Sequence, residues 1–112
     1  MAVTSSSSGS QTCTVTTEHT LATISAAAGV YSLWFDLNAS LGGTSPDVFE
    51  VRVYSKARSS DTERLCNIFN FKGVQGCQLR RTPIYETPHD LRVSIKQSAG
   101  TSRAVPWEVR KL

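Results

Sequence analysis

The sequence is poor in the residues that usually carry chemistry. It has three cysteines, Cys13, Cys66 and Cys77, none in a CxxC pair, and two histidines, His19 and His89. An odd, scattered cysteine set argues against a disulfide framework and against a cysteine zinc site. Buried thiols are the expectation, and a Cys66–Cys77 bridge would need their strands to be neighbours. Each histidine lacks a second His or Cys at ligand spacing and sits next to an acid, Glu18 or Asp90, which suits surface turns. No G-x-S-x-G elbow accompanies the serines, so no hydrolase triad is expected. The longest apolar run, residues 26 to 35, is interrupted by Gly29 and Ser32, which excludes a membrane-spanning helix. The amino terminus lacks the basic start and apolar segment of a secretory signal, so the chain is expected to be made and used inside a cell, an infected cell included. Basic residues are missing from the first 51 positions; all twelve Lys and Arg lie from Arg52 onward.

What is present is a chain of 112 residues, enough for one core and too few for two. With 39% hydrophobic and 19% charged residues it is too apolar for a disordered segment. Residues 1 to 10 are the exception: rich in Ser, Thr and Gly and free of charge and aromatics, they read as an arm on a domain of residues 11 to 112. Such an arm should be removable without lowering the melting temperature.

From Gln11 onward, short β-type runs alternate with Gly, Pro, Asn, Asp and Ser breaks, the pattern of an all-β antiparallel sandwich or jelly-roll-like barrel. The runs are 13–17, 20–25, 29–38, 48–56, 63–71, 77–81, 91–96 and 105–109, giving about eight strands and little or no helix. In the third, Tyr31, Leu33, Phe35 and Leu37 point one way and Ser32, Trp34 and Asp36 the other. Phe49, Val51 and Val53 oppose Glu50, Arg52 and Tyr54 in the fourth. The fifth, with Leu65, Asn67, Phe69 and Phe71 against Cys66 and Ile68, reads as buried on both faces. Pro83 and Pro88 make Ile84-Tyr85 an edge or connection, and Pro106 inside the last run points to an edge position or a bulge.

The carboxylate pairs Asp47/Glu50 and Asp61/Glu63 are the closest approach to a glycosidase couple, but acids at loops of a small sandwich more often serve solubility. The glycines of 42–43 and 73–76 lack the strand-to-helix context of a phosphate loop and read as turn residues. Asn38-Ala39-Ser40 matches the glycosylation sequon by chance. Arg58, Lys72 and Arg80-Arg81 with Tyr54 and Phe71 nearby offer charge and stacking without any RNA-binding motif, so nucleic acid is not expected as a partner, nor is a membrane. No catalytic residue, metal ligand or cofactor is expected. Protein contact is the better use of this surface. Its candidate residues are Ala2, Val3, Thr4 and Ser5 of the arm, Gln11 where the domain begins, and Trp34, an aromatic on the polar face of its strand.

The segments 29–38, 50–54 and above all 95–109, which reads I-K-Q-S-A-G-T-S-R-A-V-P-W-E-V, resemble small virion structural proteins of tailed bacteriophages, of the capsid decoration or cement kind. The resemblance spans about residues 19 to 112. It implies a non-enzymatic β-sandwich on the capsid exterior, made in the host cytoplasm, bound to the major capsid protein and self-associating on the lattice, as a trimer by analogy. A carbohydrate- or receptor-binding sandwich, or another head or tail component, is the alternative.

Overall fold

Alternation of apolar and polar side chains dictates most of the architecture. The structure, a computed structural model, describes residues 3–24, 29–37, 47–72, 79–87 and 89–111. Nine strands are described: β1 (Thr4–Thr12), β2 (Glu18–Ile24), β3 (Gly29–Asp36), β4 (Val48–Ser55), β5 (Arg64–Lys72), β6 (Leu79–Arg81), β7 (Tyr85–Thr87), β8 (Leu91–Ala99) and β9 (Ala104–Lys111). They form two antiparallel sheets, one ordered β1-β9-β3-β6 with β7 also on β3, the other β2-β8-β4-β5. The pairs are nested, first strand with last, second with second-last, β3 with β6 and β7, and β4 with β5. A ribbon of nested pairs rolled into two sheets is a jelly-roll sandwich, within the two forms, sandwich or jelly-roll-like barrel, expected from the sequence.

The core lies between the sheets. Tyr31, Leu33 and Phe35 of β3 and Val105 and Val109 of β9 face Phe49, Val51 and Val53 of β4 and Leu91, Val93 and Ile95 of β8, all buried. Each such side chain contributes about 1.5–3 kcal/mol on leaving water. Phe71 of β5, partly buried, packs against this core and meets Phe35 edge-on at 5.2 Å between ring centres.

Four expectations change. The described part of the arm, from Val3, is not free: β1 pairs with β9 from Thr4↔Lys111 to Thr12↔Ala104. Its strand state comes from that ladder rather than from burial, since its side chains are exposed or half-buried. Gly9 lies directly under the Trp107 ring, and a Cβ there would stand a tight 3.2 Å from it. The run 13–17 is a turn between the sheets, closed by the Thr17 N–H donating to the Thr14 carbonyl at 3.0 Å, with Thr16 in the left-handed region at φ 72°. β5 is an edge strand exposed along most of its length, not a doubly buried one, and Cys66 is exposed with it. β9 is interior, flanked by β1 and β3; Pro106 is accommodated because the β3 ladder ends at Trp107, so that only β1 pairs opposite the proline. Cys77, the sequon and the glycines of 42–43 and 73–76 lie outside the described residues.

The stretch that carries the resemblance is a turn lock. Gln97, fully buried, donates from Nε2 to the carbonyls of Ala99 (3.1 Å) and Thr101 (2.7 Å) and accepts the Arg103 N–H at Oε1 (3.2 Å). Buried Asp47 accepts the Thr101 N–H at 3.1 Å and pairs with Arg103 Nε at 3.1 Å. Gly100, at φ 97°, passes so close that a Cβ would lie 2.0 Å from Asp47 Oδ1. The same turn holds the first one: Arg103 O accepts the Cys13 N–H, Gln97 O accepts the Thr16 N–H, and Ser102 Oγ donates to Cys13 O.

Candidate protein-binding face

The outer surface of the five-stranded sheet is built around Trp34. The odd positions of β3 fill the core, so Trp34 must lie on the other side, with its cross-strand neighbours Arg81 of β6 and Glu108 of β9. The Arg110 guanidinium lies 4.2 Å from the centre of the Trp34 ring and that of Arg81 5.7 Å away, both cation–π contacts. Arg110 Nε also donates to Glu108 at 2.7 Å. That bond, with a second from Ser5, holds the Glu108 carboxyl below its ordinary pKa.

Ile84 reaches this surface through a break in the edge. Pro83 cannot donate to the ladder, and Thr82, wholly buried, substitutes for it. Its N–H donates to Leu33 O at 2.9 Å, its Oγ1 accepts the Leu33 N–H at 3.0 Å, and its carbonyl accepts Ser32 Oγ at 3.0 Å. The chain between β6 and β7 thus stays bonded to β3 while Pro83 and Ile84 bulge outward, leaving Ile84 60% exposed.

Val3, Val30, Trp34 and Ile84 line a groove of about 310 Å³ flanked by Arg81 and Arg110. A second hollow of about 220 Å³ lies on the other side of Trp34, between Leu79, Pro106 and Trp107. Val3 and Leu79 are 60% and 56% exposed, so three of the five exposed large apolar side chains among the described residues, these two and Ile84, surround one tryptophan. Apolar side chains gathered in this way around an aromatic anchor make this face the candidate contact surface among the described residues.

Of the six expected contact residues, Val3, Ser5 and Trp34 come together here. Thr4 is beside them, exposed, its Oγ1 donating to Lys111 O at 3.4 Å. Gln11 is at the far end of β1, roughly 25 Å along the strand at 3.3 Å per residue, where its Nε2 donates to Thr12 O. Ala2 lies outside the described residues. Sequence reading missed Ile84 and Arg110 and weighed Arg81 only as a nucleic-acid contact; the three become neighbours of Trp34 only through strand pairing. The Pro83 signal for an irregular edge was the only local pointer.

The opposite face carries a polar network. Glu18 accepts from Arg52 Nη1 (2.8 Å), Tyr54 Oη (2.8 Å) and buried Ser94 Oγ. Partial burial raises its pKa, but the hydrogen bonds from Ser94 and Tyr54 and the charge of Arg52 outweigh that, leaving it below the ordinary value. Arg92 stacks on Tyr54 at 3.9 Å and pairs with Glu63 at 2.9 Å. The carboxylates considered as glycosidase couples are separately engaged: Asp47 with Arg103, Glu50 with Arg52, Asp61 with Arg58, and Glu63 with Arg92. His19 Nε2 accepts the Thr14 N–H at 3.0 Å, tying down the first turn. Among the described residues no three His, Cys, Asp or Glu side chains gather as a metal-binding group. Comparison with protein-family models, curated proteins and solved structures finds no match.

Proposed function

We propose that this chain is a non-enzymatic virion structural protein of the decoration or cement kind. Its partner is the major capsid protein of a tailed phage, bound on the capsid exterior through the outer face of the five-stranded sheet. The observation that carries the contact is the cluster of Val3, Ile84 and Leu79 around Trp34 with Arg81 and Arg110 at its margin. The virion assignment rests on the sequence resemblance, and the jelly roll is compatible with it, being a form that both capsid and lectin domains use. Shell stabilisation asks for a rigid scaffold and repeated contacts rather than a reactive group, and many weak contacts on one lattice add up. A carbohydrate-binding reading is less well supported, because guanidinium groups already lie over the Trp34 ring that a sugar would stack on.

The experiment is thermal disruption of expanded empty heads with and without the purified protein. Binding and a raised disruption temperature are expected, with Trp34→Ala losing both at temperatures where circular dichroism shows the variant still folded. Failure to bind any capsid lattice overturns the proposal.

A further inference from the structure

The described strands leave two long edges open, one on each sheet. β5 has β4 as its ladder partner among the described residues, and β1 has β9. The β5 edge is the hazardous one. Residues 65 to 71 read Leu-Cys-Asn-Ile-Phe-Asn-Phe, with no charge, proline or glycine, and Leu65 and Ile68 are 49% and 41% exposed. An uncharged, β-prone window on an open edge is the signature of a strand that pairs with another chain. The other edges show the usual defences. β6 and β7 are interrupted by Pro83, and the β2 bulge between Thr20 and Ala22 falls in the middle of the strand, leaving only the short straight runs Glu18–Thr20 and Ala22–Ile24.

We infer that the open edge of β5 takes the open edge of β1 from a second copy of this chain. The two edges match in length and regularity. Each strand has nine residues; the β1 irregularity falls between Ser5 and Ser7 and the β5 irregularity at Cys66, which leaves the straight runs Ser7–Thr12 and Asn67–Lys72, six residues each. A two-fold β5–β5 ladder carried over all nine residues sets Arg64 opposite Lys72 at both ends, a like-charge pairing that an antiparallel ladder disfavours, and one confined to the straight run Asn67–Lys72 leaves both β1 edges uncovered. β1 carries no charged side chain from Thr4 to Thr12 and accepts both cations without repulsion. A strand from a foreign protein would cover one open edge of each molecule, whereas β5-to-β1 pairing covers both. Because it joins different patches, the contact is heterologous and propagates into a ring where the rotation closes. The ladder is short, so association is weak in solution and grows with concentration. This inference stands apart from the identity of the protein that meets the Trp34 face.

Sedimentation velocity over a wide concentration range tests it with two capped variants. In an antiparallel strand consecutive residues direct their N–H groups to opposite sides, so one proline of each adjacent couple blocks the outer edge and spares the inner ladder. The β5 cap is Asn67→Pro or Ile68→Pro, and the β1 cap Ser7→Pro or Ser8→Pro, in each case whichever keeps the parent melting temperature. The parent is expected to self-associate with rising concentration, each capped variant alone to stay monomeric, and an equimolar mixture of the two to form a one-to-one dimer through the β5 edge of one and the β1 edge of the other. A monomeric parent at every concentration, self-association of either capped variant, or a mixture that stays monomeric overturns the inference.

Discussion

Removing either partner of the Asp47–Arg103 pair should destabilise the fold without touching the Trp34 face, and the two removals should not cost the same. The Asp47 side chain is 1% exposed and the Arg103 side chain 22%. In Asp47→Ala the guanidinium left behind can turn to water, so the loss lies at the low end of that for a broken buried pair, about 3 kcal/mol. In Arg103→Ala a carboxylate stays buried with the Thr101 N–H as its remaining donor among the described residues, and the cost rises to about 4 kcal/mol. At about 2.1 cal/mol/K of unfolding entropy per residue, the 112 residues give roughly 0.24 kcal/mol/K, so these losses lower the melting temperature by about 12 and 17 °C. Asp47→Asn keeps an acceptor for Thr101 and falls by less than either. The double replacement costs less than the sum of the singles, because the buried charge and its partner leave together. Thermal melts by circular dichroism at neutral pH give all four values. A fall of under about 3 °C for Asp47→Ala, or Arg103→Ala as the milder change, would refute the view that this turn locks β8 to β9 and to the first turn.

Further outcomes follow from other contacts. Thr82→Val leaves the buried Leu33 N–H without its acceptor, so stability should fall by about 1–3 kcal/mol in denaturant titration, and partner binding should weaken as the Ile84 bulge loosens. Glu18 is held below the ordinary carboxyl value in the folded chain. It therefore adds stability above the unfolded value of about 4.3, which is lost as pH falls through its folded value; melts from pH 7 to pH 3 should show this loss, and Glu18→Gln should flatten it. Burial pushes the Cys13 thiol up to about 11, so in a Cys77→Ser background native protein should label with maleimide at exposed Cys66 and not at Cys13, with mass spectrometry as readout. Deleting residues 2 to 10 should lower the melting temperature measurably, since it removes most of the β1 ladder; an unchanged value would return the segment to an arm.

The strands that sequence reading located well are those that bury one face. Tyr31, Leu33 and Phe35, or Phe49, Val51 and Val53, announce a period of two because the core demands it at each position. β1 buries neither face, so no apolar period exists to be read; its strand state is set by β9, about a hundred residues away, and by Trp107 over Gly9. The Thr/Val-rich run 13–17 looks like a strand by composition, yet the crossing between sheets requires the left-handed Thr16 and the His19 bond. β5 carries alternating Phe residues that do reach the core, but edge position is a property of the whole topology and leaves no local mark. The site shows the same division. Trp34 was legible as an aromatic out of phase with its buried neighbours, whereas Arg81, Ile84 and Arg110 acquire meaning only when β3 places them around it.

Hydroxyl-radical footprinting of the protein on expanded empty heads tests the central claim most directly, because it reads side chains rather than binding alone. Protection of Trp34, Ile84, Val3 and Leu79 on binding, with Tyr54 on the opposite face remaining as reactive as in the free protein, is the predicted result. Protection of the Tyr54 face with Trp34 left reactive, or no change at any of these residues on heads that carry the protein, would contradict it.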